Sequence, residues 1–231
     1  MSYERTDATC IREELTKTGA QSWGFFIYRT CSYDDEARWE QFLSCMKGFA
    51  EKNLLCARER RRDGEAILPQ LEWKVQQDPA LENCSKEEIW RRHRRLMRDL
   101  YGQYQPGDIR HGYPIVVDRE ALESVLRGPA PSAWRAADYR TSTAHVIVLN
   151  MSWFDQMEER RVRRGERGRR SGEGHDEEEN EEEDEEDDEL DESVGWKKVL
   201  VVKVYPRLYS FLLTPLWNIM YAEPQGIERL P

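Results

Sequence analysis

The chain has little of what announces a location or a reaction. Its longest apolar stretch, LYSFLLTPLWNIMY, is too short to span a bilayer and is broken by Pro215, so no membrane helix is expected. The opening MSYERTDATCIREEL scatters charge and holds no apolar core, which argues against a secretory signal. The five cysteines, Cys10, Cys31, Cys45, Cys56 and Cys84, are odd in number and form neither a C-x-x-C pair nor a zinc-ligand spacing. They read as free thiols in a reducing compartment, the cytoplasm or the nucleus. There is no G-x-S-x-G elbow, P-loop, H-E-x-x-H or G-x-G-x-x-G, and no metal-ligand cluster, so neither cofactor nor metal is expected.

What is present is charge, unevenly placed. Fifteen acidic residues fall between Asp176 and Glu192, and setting them aside changes the net charge of the 231-residue chain from −10 to +5. The sequence pI of 5.1 therefore describes one block and not the fold. Just upstream, RRVRRGERGRR gathers Arg160, Arg161, Arg163, Arg164, Arg167, Arg169 and Arg170. The acidic block cannot pack, because like charges repel and Leu190 is its one apolar side chain, so disorder is expected there.

Around this segment the pattern is that of an α+β domain. Residues 1–22 read as a flexible lead-in or a short helix. WGFFIYRT reads as a buried strand. Trp39, Phe42, Leu43, Met46 and Phe49 recur at helical spacing behind it. ARERRRDGEAILPQ reads as a loop, and LEWKVQ as a half-buried strand. Ser85 and Glu88 form a capping box ahead of a helix whose inward stripe is Ile89, His93, Leu96 and Leu100. The order strand, helix, strand then follows in YPIVV, DREALESVLRG and AHVIVLNMSW, and again in WKKVLVVKVY, PRLYSFLL and LWNIMYAE. That succession matches a ferredoxin-like α/β sandwich. Residues 23–231 then form one domain, and 154–195 is an enlarged β-hairpin loop, an expansion that costs only ~0.6 kcal/mol per doubling of length.

Candidate chemistry is sparse. His145 at a strand start and His111 in RHGYP are acid or base candidates, with no carboxylate placed beside them by the sequence. Tyr28 and Arg29 end the first strand, and Tyr205 and Arg207 flank a strand-to-helix turn; these polar groups on apolar elements either line a pocket or satisfy one another. His93 reads as a core residue. Trp23, Trp73, Trp134, Trp153, Trp196 and Trp217 are candidates to line an apolar cavity, with core packing the commoner fate of such residues. The arginine run, and Asp176, Glu182, Glu186 and Asp188 within the acidic block, are the candidate interaction residues. The acidic block reads foremost as a tolerated insertion, with a basic protein partner or a clasp on the adjacent arginines as the functional alternatives; nucleic acid is not expected, because those carboxylates would compete with it for the arginines.

At WGFFIYRT, LEWKVQQDPAL, IVVDREALESV and GWKKVLVVKVYPRLY the chain resembles a large group of uncharacterised filamentous-ascomycete proteins, over about three quarters of its length. The resemblance implies a fungal intracellular protein and carries over no site residue. The leading expectation is a non-enzymatic interaction or regulatory module with a charged loop. The alternative is a small-molecule-binding protein, an enzyme or accessory protein of metabolism, dimerising through its sheet.

Overall fold

The computed structural model describes residues 5–105, 108–135, 141–170, 195–214, 217 and 227–228, with the side chains of 164–170 and 227–228 left aside. Asp7–Thr18 forms α1. Thr6 caps it by accepting from the Thr9 N–H, Gly19 closes it at φ 71°, and Ala8, Ile11 and Leu15 face inward. The helical alternative for the first residues is thus the one observed, with α1 docked in the core. The Ala8 N–H donates to Glu59 (2.7 Å) and Asp7 pairs with Arg207 (3.0 Å).

Strand β1 (Phe26–Arg29) is buried throughout. Gly24 precedes it at φ 126°, where a Cβ would stand 2.4 Å from the Glu72 carbonyl oxygen, so W-G-F admits no side chain at its centre. Asp35 caps α2 (Glu36–Leu54), which buries Trp39, Phe42, Met46, Phe49, Ala50 and Leu54 at the predicted spacing. The segment read as a loop after α2 folds as helical turns, Ala57–Arg60, Gly64–Ile67 and Leu68–Gln70. Buried Ile67 ties it down, and its carbonyl accepts from the Trp23 indole at 2.8 Å. β2 (Lys74–Gln76) follows, then α3 (Lys86–Tyr101), capped by Ser85.

The inward face of α3 differs from the expected stripe. Ile89 and His93 are buried as predicted, but Trp90 and Met97 complete the face, while Leu100 is 55% exposed. The stripe follows 89, 90, 93 and 97, and the last turn projects past the packed face. β3 (Ile115–Val117), α4 (Arg119–Arg127, capped by Asp118 and followed by Gly128) and β4 (His145–Leu149) lie where the pattern placed them.

After β4 comes a correction. Residues 154–170 are not part of a structureless loop: α5 spans Met151–Arg170. Its base is fastened by buried Met151 and Phe154, and by Asp155, which accepts from the Trp90 indole (3.0 Å) and the Tyr104 hydroxyl (2.9 Å). Met, Glu and Arg are all good helix formers, so an anchored base propagates through a run that looks merely charged. Residues 171–194, which hold the acidic block, lie outside the described residues.

β5 (Trp196–Leu200) pairs antiparallel with β4, so the expected hairpin is present: His145 faces Leu200 and Val146 faces Val199. Gly195 fits beneath Trp153, where a Cβ would meet the indole at 2.2 Å. The strand stops five residues short of the expected Tyr205. Val201–Lys203, Val204–Leu208 and Tyr209–Leu212 are helical turns, kinked at Tyr205 where the peptide to Pro206 is cis. Asn53 of α2 donates to the Val202 and Tyr205 carbonyls (2.6 and 2.8 Å). That packing overrides the β-propensity of VLVVKV. The last strand expected in LWNIMYAE falls largely outside the described residues; β6 is Ile227–Glu228, parallel to β5.

The sheet order is β2-β1-β3-β4-β5-β6. This is not the ferredoxin-like order, in which the strands of YPIVV and AHVIV would run parallel with another strand between them. Here β3 and β4 are adjacent and antiparallel, while β1 is parallel to both β2 and β3. Alternate strand residues feed two cores. Phe25, Ile27, Ile115, Val117, Val146, Val148 and Val199 pack with α1, α2, α4 and the turns after β5. Phe26, Tyr28, Val116, Ile147 and Leu149 pack with α3 and α5. Helices therefore cover both faces of a mixed sheet, making three layers.

Candidate functional site

β3 ends, β4 begins and β5 ends at one edge of the sheet, because β4 runs against both neighbours. α4 leaves from that edge. Between α4, the segment entering β4 and Lys198 in the middle of β5 lies a cleft of about 860 Å³, lined by Arg119, Glu120, Ser124, Thr143, His145 and Lys198 among others. That volume suits a small organic molecule.

His145 is the buried group of this cleft, 2% exposed. Its Nδ1 lies 2.8 Å from the Thr143 carbonyl oxygen. A carbonyl can only accept, so Nδ1 carries the hydrogen and Nε2 presents a lone pair. Nε2 has no hydrogen-bond partner and stands 3.9 Å from Glu120 Oε1. The same oxygen takes a 2.6 Å bond from the Lys198 ammonium. Burial lowers the His145 pKa, so the ring is neutral near pH 7; the Lys198 hydrogen bond lowers that of Glu120, which stays ionised. An unsatisfied buried acceptor costs about 1–3 kcal/mol, which the fold bears at this position. Ser124 is a strut: its hydroxyl donates to the Ala121 carbonyl (2.8 Å) and accepts the His145 N–H (3.0 Å), fixing the backbone of β4 against α4.

The other candidates lie elsewhere. Arg29 is 1% exposed; it pairs with Glu36, donates to the Ser32 carbonyl (2.9 Å) and stacks on Tyr33 and Trp39 at 4.3 and 5.1 Å. It holds the turn from β1 into α2. Tyr28, on the opposite face of β1, bonds His93 Nδ1 (2.9 Å), and His93 Nε2 faces the His111 carbonyl (3.1 Å). Nε2 must then carry the hydrogen, so Tyr28 donates to Nδ1 and the array is closed. Burial pushes the Tyr28 phenol up and His93 down to about 3, and the Nδ1 of His111 accepts from the Gln105 N–H. Arg207 fastens the C-terminal turns to α1 through Asp7. Of His145, Arg29, Tyr28 and Arg207, His145 alone lines the cleft.

The six tryptophans do not line it either. Trp23 and Trp73 pack around Tyr205, at 5.8 and 5.7 Å between ring centroids, so segments of three resembling motifs meet in the core. Trp153 packs on Phe154, Trp134 on Phe49 and Trp217 on Tyr113, while Lys86 caps Trp196. Glu120 and Lys198 join the site without being marked by any motif: Glu120 stands two residues after the Asp118 cap, and Lys198 lies within β5.

Arg160, Arg161 and Arg163 ride on α5, the last two exposed. Arg164, Arg167, Arg169 and Arg170 share its backbone. Asp176, Glu182, Glu186 and Asp188 lie outside the described residues. Among the described residues no group of three His, Cys, Asp or Glu side chains could hold a metal ion, and no helix is long and apolar enough to cross a membrane. Compared with family models, with curated proteins and with solved structures, the chain matches none.

Proposed function

We propose that this chain binds a small polar molecule in the cleft between α4 and the β4–β5 end of the sheet. The observation that carries the reading is the buried His145 Nε2, tautomerically fixed as an acceptor and without a partner beside that cleft. Stable folds seldom leave such an atom unpaired, and a ligand that supplies the missing donor recovers the cost. Ser124 makes its hydrogen bonds with the backbone and is not placed as a nucleophile beside His145, which favours recognition. The test is a thermal-shift screen of a polar metabolite library against the native chain and His145→Gln. Compounds that stabilise the former and not the latter support the reading; a library that shifts both alike, or neither, refutes it.

A second reading, an interaction module, is favoured by α5. Its base is fixed by Asp155 and Phe154, so its exposed arginines stand on an anchored rod. Residues 158–192 replaced by a short Gly/Ser linker should leave the fold intact, since the anchors at 153–155 remain. Identical binding partners for the shortened and full chains would dispose of this reading.

A further inference from the structure

We propose that the molecule taken by the cleft is a neutral, non-aromatic polyhydroxylated compound, one of whose hydroxyls enters between His145 Nε2, Glu120 and Lys198. This rests on the cleft-binding reading above and specifies its chemistry.

Each neighbour removes a class of ligand. The imidazole lone pair and the Glu120 carboxylate are both acceptors, 3.9 Å apart, so the group between them must donate. A carboxylate or phosphate offers only lone pairs to Nε2 and is repelled by Glu120. An ammonium would donate, but Lys198 Nζ already lies 2.6 Å from the same Glu120 oxygen, and a second cation beside it is repelled. A hydroxyl meets both conditions with one oxygen: its hydrogen goes to Nε2 and its lone pair takes a bond from Lys198.

The rest of the cleft fits the same class. Among the described residues its lining adds Arg119, Glu123, Arg127, Thr141 and Thr143, a mixture of donors and acceptors, and no aromatic ring apart from His145. Nε2 is itself shielded from solvent, while Glu120, 63% exposed on the first turn of α4, is held by Lys198.

The experiment is a nitrogen-15 titration of the His145 ring in the full chain. Probes are D-glucose, xylitol and myo-inositol, with D-glucosamine and D-glucuronate as cationic and anionic matches, up to about 50 mM. At least one neutral polyol should shift the Nε2 resonance saturably, and Lys198→Met should weaken that binding at least ~10-fold. Glu120→Ala, which opens the gap, provides a second variant should Lys198→Met unfold. Tighter binding of glucosamine or glucuronate overturns the neutral assignment and leaves the cleft as a binding site. A His145 ring untouched by every probe overturns the assignment, and an empty metabolite screen then removes the cleft reading as well.

Discussion

His93 should make the folded chain sensitive to mild acid by an amount that can be worked out. The ring is fully buried, with the Tyr28 hydroxyl on Nδ1 (2.9 Å), the His111 carbonyl on Nε2 (3.1 Å) and the Phe26 ring at its side (5.3 Å). Burial drives its pKa from the ordinary 6.5 down to about 3. Between those values the unfolded chain binds a proton that the folded chain refuses, so stability rises with pH across this window. The neutral-ring contribution is fully present above about pH 6.5 and is lost as the pH falls towards 3. At pH 5 the loss is about 2 kcal/mol, and at pH 4 about 3 kcal/mol, from 1.36 kcal/mol per pH unit below 6.5. That is a large share of the stability of an ordinary domain. Urea unfolding at pH 7, 6, 5 and 4 measures it, with His93→Gln as the reference. Burial also lowers the pKa values of His111 and His145, but both remain in the variant, so the difference between the two curves isolates His93. The native chain should lose about 2 kcal/mol more than the variant between pH 7 and pH 5. Parallel curves would refute the closed Tyr28–His93–His111 array.

Two further outcomes concern the elements that the sequence pattern misplaced. Asn53→Ala should cost about 1–3 kcal/mol in urea unfolding with an unchanged slope, because the Val202 and Tyr205 carbonyls lose their donor; a cost below about 0.5 kcal/mol would mean that the kink after β5 holds itself. Asp155→Ala should cost about 2–4 kcal/mol, since the Trp90 indole, the Tyr104 hydroxyl and Arg94 all converge on that carboxylate. Hydrogen exchange should also rise along α5 in the variant, and undisturbed exchange there would show that Phe154 anchors the helix unaided.

What could be read in advance was local. The cap at Asp118 with Gly128 behind it marked α4 within a few residues of chain, and the short apolar runs AHVIV and WKKVL marked strands whose order suggested a hairpin. What could not be read depends on neighbours remote in sequence. The chain leaves the strand after Leu200 because Asn53, some 150 residues earlier, holds the Val202 and Tyr205 carbonyls. Leu100 turns outward because α3 ends past the packed face, and the arginine run becomes helix because Asp155 meets Trp90 and Tyr104. The site divides in the same way. His145 could be named from its type and its strand, but the state of its ring depends on the Thr143 carbonyl, and its neighbours Glu120 and Lys198 come from two other elements.

The position of the cleft follows from the sheet. β1, β2 and β3 are parallel and lead to helices on alternating faces; from β3 onward the chain doubles back. The seam between β3 and β4 is where a parallel half meets an antiparallel one, and an open crevice beyond the carboxyl ends of parallel strands, where the topology switches, is where α/β folds bind ligands. At this seam β4 contributes its amino end, so the polar residue entering the sheet is His145, and the helix leaving β3 sets Glu120 opposite it. The other end of β4, about 13 Å away at 3.3 Å per residue, leads directly into α5 and the arginines. The two proposed activities therefore occupy opposite ends of a single buried strand, and ligand binding at His145 should persist in a chain from which the charged segment has been removed.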